Sequence, residues 1–134
     1  MEASFGAGFF APGSPALAHR GGRTTFEWLQ GNFFMIQRST PDDPRAPSAI
    51  MIIGPSETPD TFEQRYYDSR GVARVYKMTL SEGVWRLWRG APGFWQRYSG
   101  RLSKDGSRID GAWEKSADGS QWDHDFNLSY IRLK

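Results

Sequence analysis

Apolar and polar side chains alternate residue by residue along much of this chain, most plainly near its end. Trp122, His124, Phe126, Leu128 and Tyr130 fall on one parity, and Asp123, Asp125, Asn127 and Ser129 on the other. Successive side chains of a strand point to opposite faces, so the pattern predicts a strand with the first set turned inward. The same reading sets Ile109, Gly111 and Trp113 against Arg108, Asp110, Ala112 and Glu114. It sets Phe94, Gln96, Tyr98 and Leu102 against Trp95, Arg97, Ser99 and Arg101. Tyr76, Met78 and Leu80 select the parity that carries Arg74 inward, and Phe62, Gln64, Tyr66 and Asp68 form the inner row of the strand before it. Trp85 and Leu87 face in, Trp88 lies at a rim or an interface, and Phe26 and Trp28 share a face.

Nine strands are predicted in all, over residues 24–29, 32–39, 48–53, 61–69, 72–80, 84–89, 94–103, 108–116 and 121–133. The breaks Gln30-Gly31, Arg70-Gly71, Glu82-Gly83, Asp105-Gly106 and Asp118-Gly119 put glycine where a hairpin wants a positive φ. Links this short join antiparallel neighbours. A loop rich in Pro and Asp over 40–47 is the longest irregular connection of the body. Residues 1–22 are rich in Gly, Ala and Pro and read as an N-terminal arm, with a helical turn over 16–19 as its one regular element; residues 23–134 form a single domain. A meander of nine strands must dispose of its edges, and a closed barrel does this best. The expected fold is therefore all-β: an antiparallel up-and-down barrel with an internal pocket, since roughly eight to ten strands leave room for side chains and one small ligand.

Composition narrows the function more by exclusion than by assignment. Six Trp, five Tyr and nine Phe bring the aromatic share to 15% of 134 residues, which suits strands and ligand-lined walls. Seventeen basic against fifteen acidic residues leave a formal charge of +2, too even to mark a nucleic-acid binder. The absence of cysteine excludes disulfides, thiolate zinc sites, iron–sulfur clusters and a cysteine nucleophile. No apolar run reaches membrane-spanning length and the N-terminus lacks a basic signal region, so the expectation is a cytoplasmic protein without a membrane partner.

Gln64, Tyr66, Arg74, Tyr76, Gln96, Tyr98, His124 and Tyr130 would point into the lumen as polar anchors, with Trp28, Trp85, Trp113 and Phe126 as walls. Buried polar groups need partners, which a ligand could supply. The alternative is an internal network in which Arg74 pairs with Asp68 and the tyrosines bond to one another. No Ser-His-Asp or Cys-His set, metal cluster or phosphate loop can be drawn from the spacing. His124 could act as a general base, but Asp123 and Asp125 beside it face outward and cannot serve it inside. Trp85-Arg86-Leu87-Trp88-Arg89 and Phe94-Trp95-Gln96-Arg97-Tyr98 interleave arginine with aromatics as single-strand nucleic-acid platforms do, yet plain strand alternation already explains them.

Four segments prompt a family resemblance: Phe26-Glu27-Trp28-Leu29-Gln30-Gly31, the run from Tyr67-Asp68-Ser69-Arg70-Gly71 to Val72-Ala73-Arg74-Val75-Tyr76, Gly111-Ala112-Trp113-Glu114-Lys115, and Phe126-Asn127-Leu128-Ser129-Tyr130. From Thr24 onward the chain resembles a family of small bacterial calycin-like β-barrel proteins, related at fold level to lipocalins and nitrobindins. The resemblance implies a barrel with a pocket for a small, largely apolar molecule and no agreed activity. Family members usually open with a Gly-x-Trp strand; here the Gly/Pro arm takes its place, so the arm, a second subunit or a ligand must cover the gap. Nitrobindins bind haem through a histidine near the C-terminal end, which makes His124 the residue to examine for haem, although no closely matching motif surrounds it.

The leading expectation is thus lumenal binding of a small hydrophobic or aromatic ligand, anchored above all by Arg74, whose guanidinium suits a carboxylate, phenolate or enolate oxygen. A second is a barrel enzyme of small-molecule metabolism catalysing cyclisation, isomerisation or hydration, with Tyr76 or Tyr98 donating a proton and His124 accepting one. Haem binding through His124 is the third; otherwise no cofactor and no metal are expected. A homodimer is expected from the arm and the outward Trp88 and Trp95.

Overall fold

A computed structural model of the chain describes residues 17–19, 21–59 and 61–132. Eleven strands account for its regular structure: β1 (Leu17–His19), β2 (Gly22–Trp28), β3 (Met35–Pro41), β4 (Ala49–Pro55), β5 (Phe62–Asp68), β6 (Ala73–Ser81), β7 (Val84–Ala91), β8 (Phe94–Leu102), β9 (Arg108–Ser116), β10 (Asp123–Asn127) and β11 (Tyr130–Arg132). Among the described residues there is no helix, and so none long and apolar enough to cross a membrane. Each strand from β1 to β9 pairs antiparallel with the next, giving an up-and-down sheet that curls around one core.

The hairpins form where glycine permits them. All five turn glycines expected to take a positive φ do so. At the β6–β7 turn both central residues, Glu82 (φ 53°) and Gly83 (φ 76°), lie in the left-handed region, the backbone twist that matches a two-residue hairpin to its strands. Strand β3 starts later than expected, because Asn32 also has a positive φ and the amide of Leu29 donates to the carbonyl of Phe34, closing a loop before Met35. Its far end extends through Thr40 and Pro41, which pair with Arg23 and Gly22, so the irregular loop begins only at Asp42.

Two differences concern the ends of the chain. The stretch read as a helical turn is instead strand β1, which pairs with β2 on one side and β11 on the other. Residues 1–16 and 20 of the arm lie outside the described residues. The single strand expected over 121–133 divides into β10 and β11, both pairing with β9: β10 against Ala112–Lys115, β11 against Arg108 and Ile109.

Met35, Ile53, Tyr76, Met78, Trp85, Leu87, Tyr98, Ile109 and Tyr130 form the buried cluster, with Phe26, Trp28, Phe62 and Leu80 packed against it. The inward parities expected for β2 and for β5 to β9 hold except at the start of β8, where Phe94 is as exposed as Trp95. Trp85 meets Tyr98 edge-on at 5.4 Å between centroids, Tyr98 meets Trp113 at 5.4 Å, and Trp113 meets Tyr76 at 5.5 Å. Offset and T-shaped pairs of this kind contribute about 0.5–1.5 kcal/mol each beyond their buried area. Gly100 and Gly111 pair across β8 and β9, and the Tyr98 ring lies over both, so that a Cβ on Gly111 would collide with the Tyr98 hydroxyl and the Ser99 carbonyl.

Gly111→Ala is accordingly expected to cost about 1–3 kcal/mol, the usual penalty of overpacking. Tyr98→Phe, which only removes the hydroxyl's bond to the Leu128 carbonyl, is expected to cost about 1 kcal/mol. Urea denaturation of the two variants checks both the order and the size.

Candidate functional site

On the concave face a recess of about 380 Å³ is lined from nine strands, β3 to β11. Strand β3 contributes Gln37 and Ser39, β4 Ala49 and Met51, and β5 Gln64 and Tyr66. Arg74 and Tyr76 come from β6, Trp85 and Leu87 from β7, Gln96 from β8 and Trp113 from β9; Pro47, Phe126, Leu128 and Tyr130 complete it. Alternation explains the set, since each strand offers every second residue to this face. Among the described residues Arg74 is the one charged side chain in the lining, and none of them lines it with a carboxylate.

Nine of the twelve residues expected as ligand contacts therefore meet here: Gln64, Tyr66, Arg74, Tyr76, Trp85, Gln96, Trp113, Phe126 and Tyr130. Trp28, expected as a wall, packs against the buried cluster instead. Tyr98 faces inward but is 1% exposed, and its hydroxyl donates to the Leu128 carbonyl at 2.9 Å, so it supports the site from behind. Burial drives the phenol pKa of Tyr98 well up, as it does that of Tyr130, so both stay neutral donors.

His124 stands elsewhere. The β9–β10 register slips by one residue at Asp125: His124 pairs with Glu114, whereas Phe126 pairs with Trp113. Glu114 and Trp113 face opposite ways, so the bulge puts His124 and Trp122 on the outer face and leaves Phe126, Leu128 and Tyr130 inside. His124 is exposed, its Nε2 lies 2.8 Å from Asn127 Oδ1, and Trp122 stacks on the outward Arg97 at 4.0 Å. The expected acid–base pairing of His124 with Tyr76 or Tyr98 is not assembled, and an axial haem ligand at His124 does not fit the recess. Among the described residues no cluster of His, Asp or Glu could hold a metal ion.

The polar partners around the recess differ from the expected internal network. Asp68 does not pair with Arg74. Its carboxylate, with no side-chain surface exposed, accepts from Arg70 Nη2 at 2.6 Å, from Tyr66 Oη at 2.8 Å and from the backbone amides of Arg70 and Val72. The Arg70 guanidinium above all, with the Tyr66 hydroxyl and these amides, holds the carboxyl well below the usual carboxylate range. Burial, then the bond to Asp68, pushes the Tyr66 phenol up to about 12. Gln64 Nε2 donates to Gln37 Oε1 at 3.0 Å, and Ser39 Oγ bonds to Thr24 Oγ1. Arg74 is left with one amide oxygen, Gln96 Oε1 at 3.2 Å, and the Phe94 ring, 5.8 Å from its guanidinium carbon.

Gln37, Ser39 and Met51 escaped the sequence reading. Gln37 and Ser39 were available from alternation against Arg38 and Thr40, whereas β4 is apolar on both parities at Ile50, Met51, Ile52 and Ile53 and gives no such signal. No protein-family model matches the chain, and no curated protein matches it either.

Because its folded pKa is depressed, Asp68 contributes stability that is complete above about pH 4 and is lost as the pH falls toward the folded value. Asp68→Asn is expected to lower the urea midpoint at neutral pH, and the gap from the parent should narrow below about pH 4. A gap that stays constant into acid would mean that the carboxylate charge does not hold the β5–β6 turn.

Proposed function

We propose that the protein binds a small hydrophobic or aromatic molecule within the lumen of a lipocalin-like barrel, with Arg74 and the tyrosines as polar anchors. The observation that carries this reading is the lining: among the described residues, aromatic rings, apolar side chains and a few amide and hydroxyl groups surround the Arg74 guanidinium, with no carboxylate. Ligand sites are largely apolar concavities with a few placed polar groups that fix orientation, and this recess has that make-up. The strand pairings support the enclosure the reading needs. Strand β9 pairs with β8 and β11, β11 with β1, and β1 with β2, and these pairings favour such an enclosure.

The enzyme reading draws no support from the geometry. Tyr98 spends its proton on a backbone carbonyl, and His124 lies on the other face of the sheet. What remains at the recess is a binding set: Arg74, Tyr76 and Gln96 at one end, Gln37 and Gln64 along the side, and Trp113 and Phe126 stacked with centroids 6.4 Å apart.

Native mass spectrometry of the protein as purified, compared with its denatured mass and an absorbance scan, tests the reading directly; a retained small molecule is the expected result. Arg74→Ala should weaken binding of an anionic aromatic ligand by about tenfold or more, the scale of a lost charge-assisted hydrogen bond, without lowering the melting temperature appreciably. Unchanged affinity would remove Arg74 from the site.

A further inference from the structure

We propose that the recess holds its ligand by a carboxylate, seated at its charged end against Arg74 and against Arg89 just beyond the lining, beside the Gln96 amide that both now contact. The proposal rests on the reading of the recess as a ligand site and adds the chemical class of the ligand. Three donors converge on Gln96 Oε1: Arg74 Nη1 at 3.2 Å, Tyr76 Oη at 3.2 Å and Arg89 Nη1 at 3.4 Å. An amide oxygen has two lone pairs, and all three distances lie at or beyond the long end of the hydrogen-bond range, so one neutral acceptor is shared among more donors than it can satisfy.

Two of those donors are guanidinium groups, each with a full positive charge. Among the described residues neither Arg74 nor Arg89 forms an ion pair. The neighbouring carboxylates are already engaged: Asp68 with Arg70, Glu63 with Arg65, and Glu114 with Arg97. Two guanidinium groups held at one amide oxygen repel each other, and an anion between them would reverse the sign of that interaction.

The arrangement is set by the sheet. Arg89 shares the inward parity of Trp85 and Leu87 and pairs directly with Gln96 across β7 and β8, while Arg74 and Tyr76 reach the same spot from β6. A carboxylate matches it: its two oxygens offer about four acceptor positions, and guanidinium groups bind it with charge-assisted bonds. Rotation about the last torsion of Gln96, which is broad and roughly two-fold, would turn Nε2 toward the same anion and make this residue a fourth donor. Beyond the charged end the lining includes Tyr76, Trp113, Phe126 and Leu128, which suits an aromatic or unsaturated body, with Gln37, Ser39 and Gln64 as neutral polar groups. The structure thus assigns the site to an aromatic or unsaturated carboxylic acid bound as its anion.

The probes are 2-naphthoate and its neutral primary amide, which share one shape, titrated against the full chain by tryptophan fluorescence and calorimetry. The naphthoate is expected to bind about tenfold or more tightly than the amide, and Arg74→Gln and Arg89→Gln should each remove that preference while sparing the amide. Equal binding of the two probes to the parent protein would overturn the carboxylate assignment and leave the recess as a ligand site. Binding of neither would overturn both. Displacement of naphthoate by inorganic phosphate but not by acetate would reassign the charged end to a phosphate group and overturn the carboxylate proposal. The ratio measured on the parent protein decides the question even if one variant does not fold.

Discussion

The ring of Tyr98 lies across Gly100 and Gly111, two glycines paired on neighbouring strands, and much of the concave face takes its position from that contact. A side chain at either glycine would lift the ring off the sheet. With both absent, the hydroxyl comes to 2.9 Å from the Leu128 carbonyl while the Leu128 amide donates to the Gly111 carbonyl, also at 2.9 Å. Leu128, between β10 and β11, is thereby tied at both its polar ends. The turn from β10 into β11 and the inward aim of Leu128 and Tyr130 follow, and so does the pairing that leads through β11 to β1.

Glycine under an aromatic ring recurs on this sheet. The Trp95 ring lies over Gly90, its pairing partner on β7, and the Phe34 ring over Gly54. A glycine within a strand weakens it by leaving nothing to pack, and a ring laid flat over the gap restores buried area. At Tyr98 the ring also connects to other rings: it contacts Trp85 and Trp113, and Trp113 in turn contacts Tyr76 and Phe126. The walls of the recess are therefore the edge of a continuous aromatic cluster, and their positions are held by the core that stabilises the fold.

The polar groups of the same face divide by how completely they are satisfied. Asp68 has four groups donating to it, and Gln37 and Gln64 bond to each other. Arg74 and Arg89 have a single shared oxygen. A buried charge is normally paired, and a site where cations remain without anions is where a ligand's charge is most strongly favoured. The contrast between Asp68 and Arg74, on adjacent strands of one face, separates the groups that hold the turn from those free to hold something else.

Strand parity and turn chemistry were legible in the chain itself, because side chains alternate with a period of two and a positive φ favours glycine whatever the surroundings. That was enough to place nine of the twelve expected contacts on the recess. It failed at His124 and Trp122, because one extra residue at Asp125 inverts every side chain before it, and a bulge leaves no mark in an alternation that reads equally well without it. It failed also at residues 17–19, where a three-residue strand has too little pattern to declare itself and exists because β2 and β11 flank it. Parity sends Tyr98, Gln96 and Arg74 to one face without distinguishing them. Only the folded arrangement decides that the first is spent on Leu128 and that the other two meet Tyr76 and Arg89, since a partner's distance depends on strands far apart in sequence.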